Sequence, residues 1–204
     1  MLKIVLASQS PRRKKLLNQL GLIFEISPSD KEEVITSDIP EQIVTDLSLQ
    51  KALDVSQTMK HSLIIGADTI VVYNQQILGK PGSESEAINM LTELSGQIHS
   101  VYTGVSFVVT DEECIVKKSY SFFEETKVRF STLSPEEIAA YVATGSPMDK
   151  AGAYGIQDDW GSVFVEHIDG DYYNVVGFPL NRFYKEIKNF IPDILDQMVF
   201  PPVK

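Results

Sequence analysis

The sequence is poor in the residues that build disulfides and metal centres. It has one cysteine, Cys114, one tryptophan and three histidines in 204 residues. One cysteine cannot form an internal disulfide, and it cannot supply a thiolate zinc site. His61, His99 and His167 are scattered, and no His-Glu-x-x-His pair occurs. These absences exclude a disulfide scaffold and the commonest zinc hydrolase motif.

Positive charge is also scarce, since 18 Lys and Arg residues face 28 Asp and Glu residues and the net charge is −10. This balance argues against nucleic acid or an anionic membrane as a partner, because both bind basic surfaces. No apolar run is long enough to span a membrane, and the N-terminus begins as a strand rather than as a signal peptide. We therefore expect a cytoplasmic protein without nucleic-acid or membrane partners.

Three familiar nucleotide and hydrolase motifs are missing as well. There is no Gly-x-Ser-x-Gly nucleophile elbow, and no Gly-x-Gly-x-x-Gly opens a helix after a strand. Gly79-Lys80-Pro81 lacks the Ser or Thr and the upstream Gly of a phosphate-binding P-loop. A phosphate site in this chain would have to be built in another way.

The start of the first predicted helix carries an unfavourable charge pattern. The apolar run Ile4 to Ala7 predicts a strand, and Ser10 followed by Pro11 predicts a capped helix start. Four cations, Arg12 to Lys15, then occupy the first turn, where the helix dipole already presents positive potential. Either a bound anion, most simply a phosphate chain, resolves this conflict, or the segment is a solvated basic helix end.

Two charged side chains fall where burial is expected. Asp68 lies inside the most apolar run, Leu63 to Tyr73, which predicts a central strand. An ionised carboxylate there is costly unless it is paired or bound to a metal. Lys51 shares a face with Leu47 in the helix predicted over Pro40 to Ala52. Lys51 either points into a polar site or covers apolar surface with its stem.

The other periodicities predict an α/β chain. Ser37 or Asp38 is expected near the N-cap of the helix at Pro40. Further helices are expected over Ser83–Leu94 and from Ser134 to about Thr144, both with capping boxes, and after Pro179. Strands are expected at Phe24–Ile26, Gln76–Leu78, Ser100–Thr110, Ile115–Phe130 and Val163–Ile168, with Tyr172–Val176 pairing back after an Asp169-Gly170 turn.

The segment Gly145 to Gly161, GSPMDKAGAYGIQDDWG, fits none of these patterns. It is rich in glycine and polar residues and has few residues to bury, so we expect a functional loop rather than a regular element. Its glycines would let the backbone approach a ligand closely.

Cations and carboxylates recur on several predicted elements. The cations are Arg12, Arg13, Lys51, Lys80 and Lys150, and the carboxylates are Glu32, Glu33, Asp68 and Asp149. This combination suits metal-assisted chemistry on phosphates. Cations would hold the phosphate chain, one carboxylate would hold a hard divalent ion, and another would orient water.

Six motifs give the chain a resemblance to the Maf family. They are Ser8-x-Ser10-Pro11-Arg12-Arg13-x-x-Leu16-Leu17, Gly66-Ala67-Asp68-Thr69, Gly79-Lys80-Pro81, Tyr102-Thr103-Gly104-Val105, Asp149 to Gln157 and Asn174-Val175-Val176-Gly177-x-Pro179. They occur in the family's order and span about residues 4 to 190. The resemblance implies a single Maf-like domain over residues 1–204, with the tail from about residue 193 unassigned. Its fold would be inosine-triphosphatase-like α/β, a long bent mixed sheet flanked by helices with a deep cleft between two lobes.

The resemblance also implies an activity. Maf proteins that resemble this chain are nucleoside triphosphate pyrophosphatases, which hydrolyse the bond between the α and β phosphates with Mg²⁺ or Mn²⁺. The family's phosphate-binding residues match Ser8, Arg13, Lys51 and Lys80. The match to Glu33 helps to bind the metal, although Glu32 could take this role, and Asp68 is either the base or a metal ligand. A homodimer is plausible for such a protein.

Three further positions distinguish branches of the family. Arg12, Thr69 and Gln157 resemble the branch that acts on dTTP and UTP, whereas the branch that resembles a 7-methyl-GTP pyrophosphatase tends to have Trp, Gln and Glu there. The Gln157 amide can both donate to and accept from the edge of a uracil or thymine ring. The chain is therefore expected to act on dTTP, UTP and modified pyrimidine nucleotides. The alternatives are the 7-methyl-GTP branch and a non-catalytic nucleotide sensor that influences cell division.

Overall fold

The computed structural model describes residues 2–158 and 160–197. The strands in these residues are β1 (Lys3–Leu6), β2 (Glu25–Ile26), β3 (Ser62–Tyr73), β4 (Gln76–Leu78), β5 (Ile98–Thr110), β6 (Val116–Phe130) and β7 (Val165–Asp169). The helices are α1 (Pro11–Gln19), α2 (Pro40–Ser56), α3 (Glu84–Leu94), α4 (Pro135–Val142), α5 (Gly161–Phe164), α6 (Tyr172–Val176) and α7 (Leu180–Phe190). Short 3₁₀ turns span Ser146–Asp149, Ala151–Ala153 and Pro192–Gln197.

The seven strands described form one mixed sheet. Their order is β2-β1-β3-β5-β6-β7, and β4 pairs with β3. β1 runs parallel to β2 and to β3, whereas β4 is antiparallel to β3 and β7 is antiparallel to β6. Asn74 and Gln75 both have positive φ, at 48° and 64°, as the two-residue turn between β3 and β4 requires. The predicted α/β class with a mixed sheet is confirmed.

The chain divides into two compact units. The first contains the chain up to Asp68, Thr103–Glu124 and the chain from Gly177 onward. The second contains Thr69–Tyr102 and Glu125–Val176. One of the four points at which the chain passes from one unit to the other falls between Asp68 and Thr69, within the strand β3.

In the first unit, α2 packs against β3 and β5 at two glycines. A Cβ on Gly66 would collide with the carbonyl oxygen of Ser48, and a Cβ on Gly104 would collide with that of Val44. The Ser48 hydroxyl also meets the Ser106 hydroxyl at 2.7 Å. Both glycines are required because the helix backbone lies directly on the strands.

The core of the second unit joins α3 and α4 to the strands. Its fully buried members include Leu91, Leu94 and Tyr141. His99 is also buried, and its Nε2 lies 2.8 Å from the hydroxyl of Tyr154, beside the ring of Phe130. The core of this unit therefore includes a titratable imidazole.

The expected strand at Tyr172–Val176 is wrong, because these residues form the helix α6. The Asp171 carboxylate accepts a hydrogen bond from the Tyr173 N–H at 2.8 Å and so begins a helical turn. The Thr126 hydroxyl donates to the Asp171 carbonyl and accepts from the Asn174 amide. These contacts with β6 determine the local structure, and strand propensity does not.

The segment Gly145 to Gly161 buries far more than expected. Pro147, Lys150, Gly152 and Ala153 to Ile156 are all buried, and the 3₁₀ turns give the segment local order. A Cβ on Gly152 would lie 3.0 Å from the Val71 side chain. Gly152 thus serves close packing against β3, a tertiary effect that composition does not reveal.

Ser37 and Asp38 lie near the N-cap of α2, as expected, since the N-cap is Ile39 and the Ser37 hydroxyl accepts a hydrogen bond from the Ile39 N–H. Two smaller expectations need correction. At the start of α3, the Ser83 hydroxyl accepts a hydrogen bond from the Glu86 N–H, as predicted. The Glu86 carboxylate, however, accepts a hydrogen bond from the Gly82 N–H and does not close the capping box. The last strand begins at Val165 because Gly161–Phe164 is helical.

The capping box of α4 is complete, and α7 ends before Pro192, as predicted. The first part of the tail forms the 3₁₀ turn Pro192–Gln197, and residues 198–204 lie outside the described residues. In the described part of the chain, no helix combines the length and the apolar character that a membrane crossing requires.

Gly66→Ala should lower the free energy of unfolding by about 3 kcal/mol, because the new methyl group meets helix backbone that cannot yield easily. Urea unfolding measures this loss. Gly79→Ala is the matched control, because a Cβ there meets no described atom within 4 Å, and its effect should stay within about 0.5 kcal/mol. Equal stability of the two variants would contradict the close contact of α2 with β3.

Acid should destabilise the second unit through His99. Burial lowers the pKa of His99 to about 4, below the value of about 6.5 in an unfolded chain. The unfolded chain therefore binds the proton first, and stability is lost as the pH falls from 6.5 towards 4. Between pH 7.5 and pH 5 this loss should reach about 2 kcal/mol.

The comparison with His99→Gln isolates this contribution, because glutamine can keep the contact with Tyr154 but does not titrate. Urea unfolding at pH 7.5 and pH 5 should give a loss about 2 kcal/mol smaller in the variant than in the wild type. Equal losses would show that His99 is not the titrating group.

Candidate active site

The first turn of α1 is organised around Ser8, Ser10 and Arg13. The Ser10 hydroxyl caps the helix by accepting from the Arg13 N–H at 3.4 Å, as predicted. The buried Ser8 hydroxyl accepts from the Ser10 N–H at 3.3 Å and from Arg13 Nη1 at 3.2 Å. No acidic residue lies in this turn. The helix start therefore combines its dipole, a hydroxyl and a guanidinium.

Backbone carbonyls from distant segments hold the Arg13 guanidinium in position. Its Nη1 donates to the Ala67 carbonyl at 2.9 Å, and its Nε donates to the Gly177 carbonyl at 3.1 Å. Burial lowers the pKa of Arg13, and Asp68 partly offsets this effect. The side chain is thus held beside the middle of β3, next to Asp68.

Lys51 contacts two carboxylates. Its Nζ lies 2.5 Å from Asp68 Oδ1 and 2.8 Å from Glu33 Oε1. Side chains two residues apart in a strand share a face, so Asp68 faces α2 as Gly66 does. On α2, Leu47, Lys51 and Val55 share the face that packs on the strand. Lys51 therefore points inward to a polar site, which is one of the two alternatives that the sequence left open.

A side-chain clamp places Glu33. The Gln50 amide binds both the N–H and the carbonyl of Val34, at 3.1 and 2.7 Å. It fixes the loop beside Lys51, so that Glu33, of the two neighbouring glutamates, forms the ion pair. Sequence reasoning missed Gln50, although its position next to Lys51 on α2 is a signal that could have been used.

The first unit thus brings together Ser8, Arg13, Lys51, Glu33 and Asp68. Arg12 is half-buried in the same turn of α1. The two carboxylates are oxygen donors of the kind that Mg²⁺ and Mn²⁺ prefer. Among the described residues no group of three or more His, Cys, Asp or Glu side chains could hold a metal ion. A metal here would need ligands from a substrate as well.

The remaining predicted residues lie in the second unit. Lys80 is exposed, and the carbonyl of its neighbour Gly79 accepts from the Gly152 N–H at 3.0 Å. Thr69 is half-buried on β3, and Gln157 is half-buried in the long segment. Lys150 is buried, and its ammonium contacts Asp149 at 2.7 Å within its own segment.

A family model described as "Maf-like protein" matches residues 3–190. The chain belongs to the Maf family. The motifs that predicted this family lie on the elements described above, from the start of α1 to the residues that precede α7.

Proteins from Bacillus resemble the chain over nearly its whole length. Proteins named "dTTP/UTP pyrophosphatase" from Bacillus cereus (strain AH820) and Bacillus thuringiensis subsp. konkukian (strain 97-27) are each 51% identical over 195 residues. One from Bacillus anthracis is 50% identical. Each match covers 95% of this chain and 98% of the relative. A solved structure of a HAM1 protein from Coxiella burnetii has a TM-score of 0.49 at 14% identity, and covers 95% of this chain and 100% of its own.

Arg13→Lys should lower the free energy of unfolding by about 2 kcal/mol, because an ammonium cannot reproduce the fork that reaches both Ala67 and Gly177. Urea unfolding at pH 7 measures this loss. Arg182→Lys is the control, since Arg182 is a more exposed arginine that also binds a carbonyl, that of Phe123. If the two variants lose equal stability, the Arg13 contacts have no special structural role.

Proposed function

We propose that this Maf protein hydrolyses dTTP and UTP between the α and β phosphates, giving the nucleoside monophosphate and pyrophosphate. The observation that carries the proposal is the cluster of Arg13, Lys51, Glu33 and Asp68 beside the start of α1. It occurs in a chain that is half identical to relatives named for this activity. Water adds to one phosphorus, and the anhydride oxygen leaves on the other.

Phosphate binding is assigned to Ser8, Arg13, Lys51 and Lys80. The N–H groups and dipole of α1 favour an anion, and the Ser8 hydroxyl and the Arg13 guanidinium add donors at the same place. Lys51 already forms ion pairs with two carboxylates, so a phosphate would compete with them for its ammonium. Lys80, the fourth of these residues, is an exposed cation.

The carboxylates fit a divalent cation that is shared with the substrate. Mg²⁺ is commonly held by one or two carboxylates together with substrate phosphates, and Glu33 and Asp68 would supply that pair. A bound Mg²⁺ or Mn²⁺ would offset phosphate charge and polarise a phosphoryl oxygen. Glu33 is assigned to metal binding, because it is the glutamate that lies beside Lys51 and Asp68.

Asp68 has two possible roles in this scheme. It can ligate the metal, or it can accept the proton of the attacking water as a general base. Lys51 fixes the position of its carboxylate in either case, through the 2.5 Å contact to Oδ1. Arg12, Thr69 and Gln157 are assigned to selection of the pyrimidine base, in keeping with the names of the relatives.

Turnover of a substrate panel tests the proposal. With Mg²⁺ or Mn²⁺, dTTP and UTP should be hydrolysed at least tenfold more efficiently than dGTP or 7-methyl-GTP, and a chelator should abolish turnover. Preference for 7-methyl-GTP would contradict the assignment of the selector residues. If the protein binds nucleotides but hydrolyses none of them, it is a sensor and the proposed enzymatic activity is wrong.

Asp68→Asn should reduce kcat by at least about a hundredfold, because an amide can neither accept the proton nor ligate a cation as a carboxylate does. Nucleotide binding should persist, and equilibrium titration with UTP in the presence of Ca²⁺ measures it. The matched control is Asp169→Asn at the exposed end of β7, which should retain wild-type kcat. Full activity in Asp68→Asn would show that Asp68 takes no part in catalysis.

A further inference from the structure

Lys150 is a buried lysine in the segment Gly145 to Gly161, which has little regular structure. Its residue is only 6% exposed, and its Nζ donates to the Ser146 carbonyl at 2.5 Å and to Asp149 Oδ1 at 2.7 Å. The same ammonium lies 3.6 Å from Asp158 Oδ2. A cation that is buried at this depth needs such partners, and it orders the chain that supplies them.

Gly155 provides the space in which Lys150 lies. A Cβ on Gly155 would fall 2.7 Å from Lys150 Cε and 3.1 Å from Asp158 Oδ2. The lysine stem therefore runs against bare backbone on its way to the carboxylates. The position of the ammonium, and with it that of Asp158, is built into the segment.

Asp158 in turn binds the side chain of Gln157. Gln157 Nε2 donates to Asp158 Oδ2 at 2.5 Å. An ionised carboxylate only accepts hydrogen bonds, so the amide nitrogen and not the amide oxygen must face it. The Gln157 carbonyl oxygen is thereby directed to the other side of the planar amide.

We propose that Asp158, held by Lys150, is a positioning residue that makes Gln157 present its carbonyl oxygen to the pyrimidine base. This inference rests on the proposed function, because it concerns the base that the site accepts. It extends that function by predicting that uracil and thymine are selected against cytosine. The chain Lys150–Asp158–Gln157 lies entirely within the second unit.

The hydrogen-bonding groups of uracil, thymine and cytosine explain the selection. Uracil and thymine carry an N–H at N3, which can donate to a carbonyl oxygen. Cytosine has an unprotonated acceptor at N3 and an amino donor at N4, so a fixed amide oxygen would face an acceptor there. A site whose polar group is left unpaired rejects the wrong ligand strongly, provided that the group cannot rotate. Asp158 prevents that rotation.

Asp158→Ala tests the inference, because without the carboxylate the Gln157 amide can rotate. The ratio of kcat/KM for UTP to that for CTP should fall about tenfold, with kcat/KM for CTP rising as that for UTP falls. A purely structural defect would lower both values together. The Asp158 side chain is 38% exposed, so the variant should remain folded.

Asp149→Asn is the matched control, because it removes a carboxylate from the same lysine without touching Gln157. It should leave the UTP to CTP ratio unchanged. A second readout is the Gln157 side-chain NH₂ signal in ¹⁵N NMR, identified by its loss in Gln157→Ala. In the wild type one amide proton should be shifted downfield by the carboxylate, and the shift should disappear in Asp158→Ala but not in Asp149→Asn.

The outcomes separate this inference from the proposed function. If the wild type prefers UTP and Asp158→Ala keeps both the ratio and the NMR signal, the positioning role is wrong while the proposed function stands. If the wild type hydrolyses neither UTP nor dTTP, the proposed function is wrong and the inference falls with it. If the UTP to CTP ratio of kcat/KM falls about tenfold in Asp158→Ala and the NMR shift is lost, both the positioning role and the proposed function are supported.

Discussion

The contact on which the rest of the site depends is that of the Lys51 ammonium with Asp68 and Glu33. A carboxylate in the middle of an apolar strand is tolerated only with such a partner. The partner reaches it because Gly66 lets α2 lie directly on β3. The packing of a helix on a sheet and the assembly of the charged site are therefore one structural feature. A change at either the glycine or the lysine disturbs both.

This arrangement also gives a physical reason for the charge pattern at the start of α1. The first turn has cations where a helix built only for stability would have acids, and Arg13 keeps its place through backbone carbonyls of Ala67 and Gly177. Such a locally unfavourable choice is expected where a ligand supplies the missing charge. A triphosphate, with or without a divalent cation, has the charge for this role. The acidic protein thus carries a small basic site, which suits a small polyanion better than a polymer.

Much of this could be predicted from the sequence, because several signals are local. Ser10 and Pro11 fix the start of α1, periodicity places Lys51 on the face of α2 that carries Leu47, and Asp68 stands out within its apolar run. The motifs also predicted the family correctly. Other features depend on tertiary contacts and could not be predicted in this way. Thr126 converts the expected strand at Tyr172–Val176 into a helix, Gln50 fixes the Glu33 loop, and the long glycine-rich segment packs against β3. The roles of the individual site residues remain predictions.

The most direct test of the central claim is ³¹P NMR of the products formed from UTP. The claim is that the site cleaves the anhydride between the α and β phosphates, and each alternative cleavage gives different phosphorus signals. The account predicts UMP and pyrophosphate in equal amounts, with no UDP at any time in the reaction. UDP with orthophosphate as the first products, or an unchanged UTP spectrum at high enzyme concentration with Mg²⁺ or Mn²⁺, would contradict it.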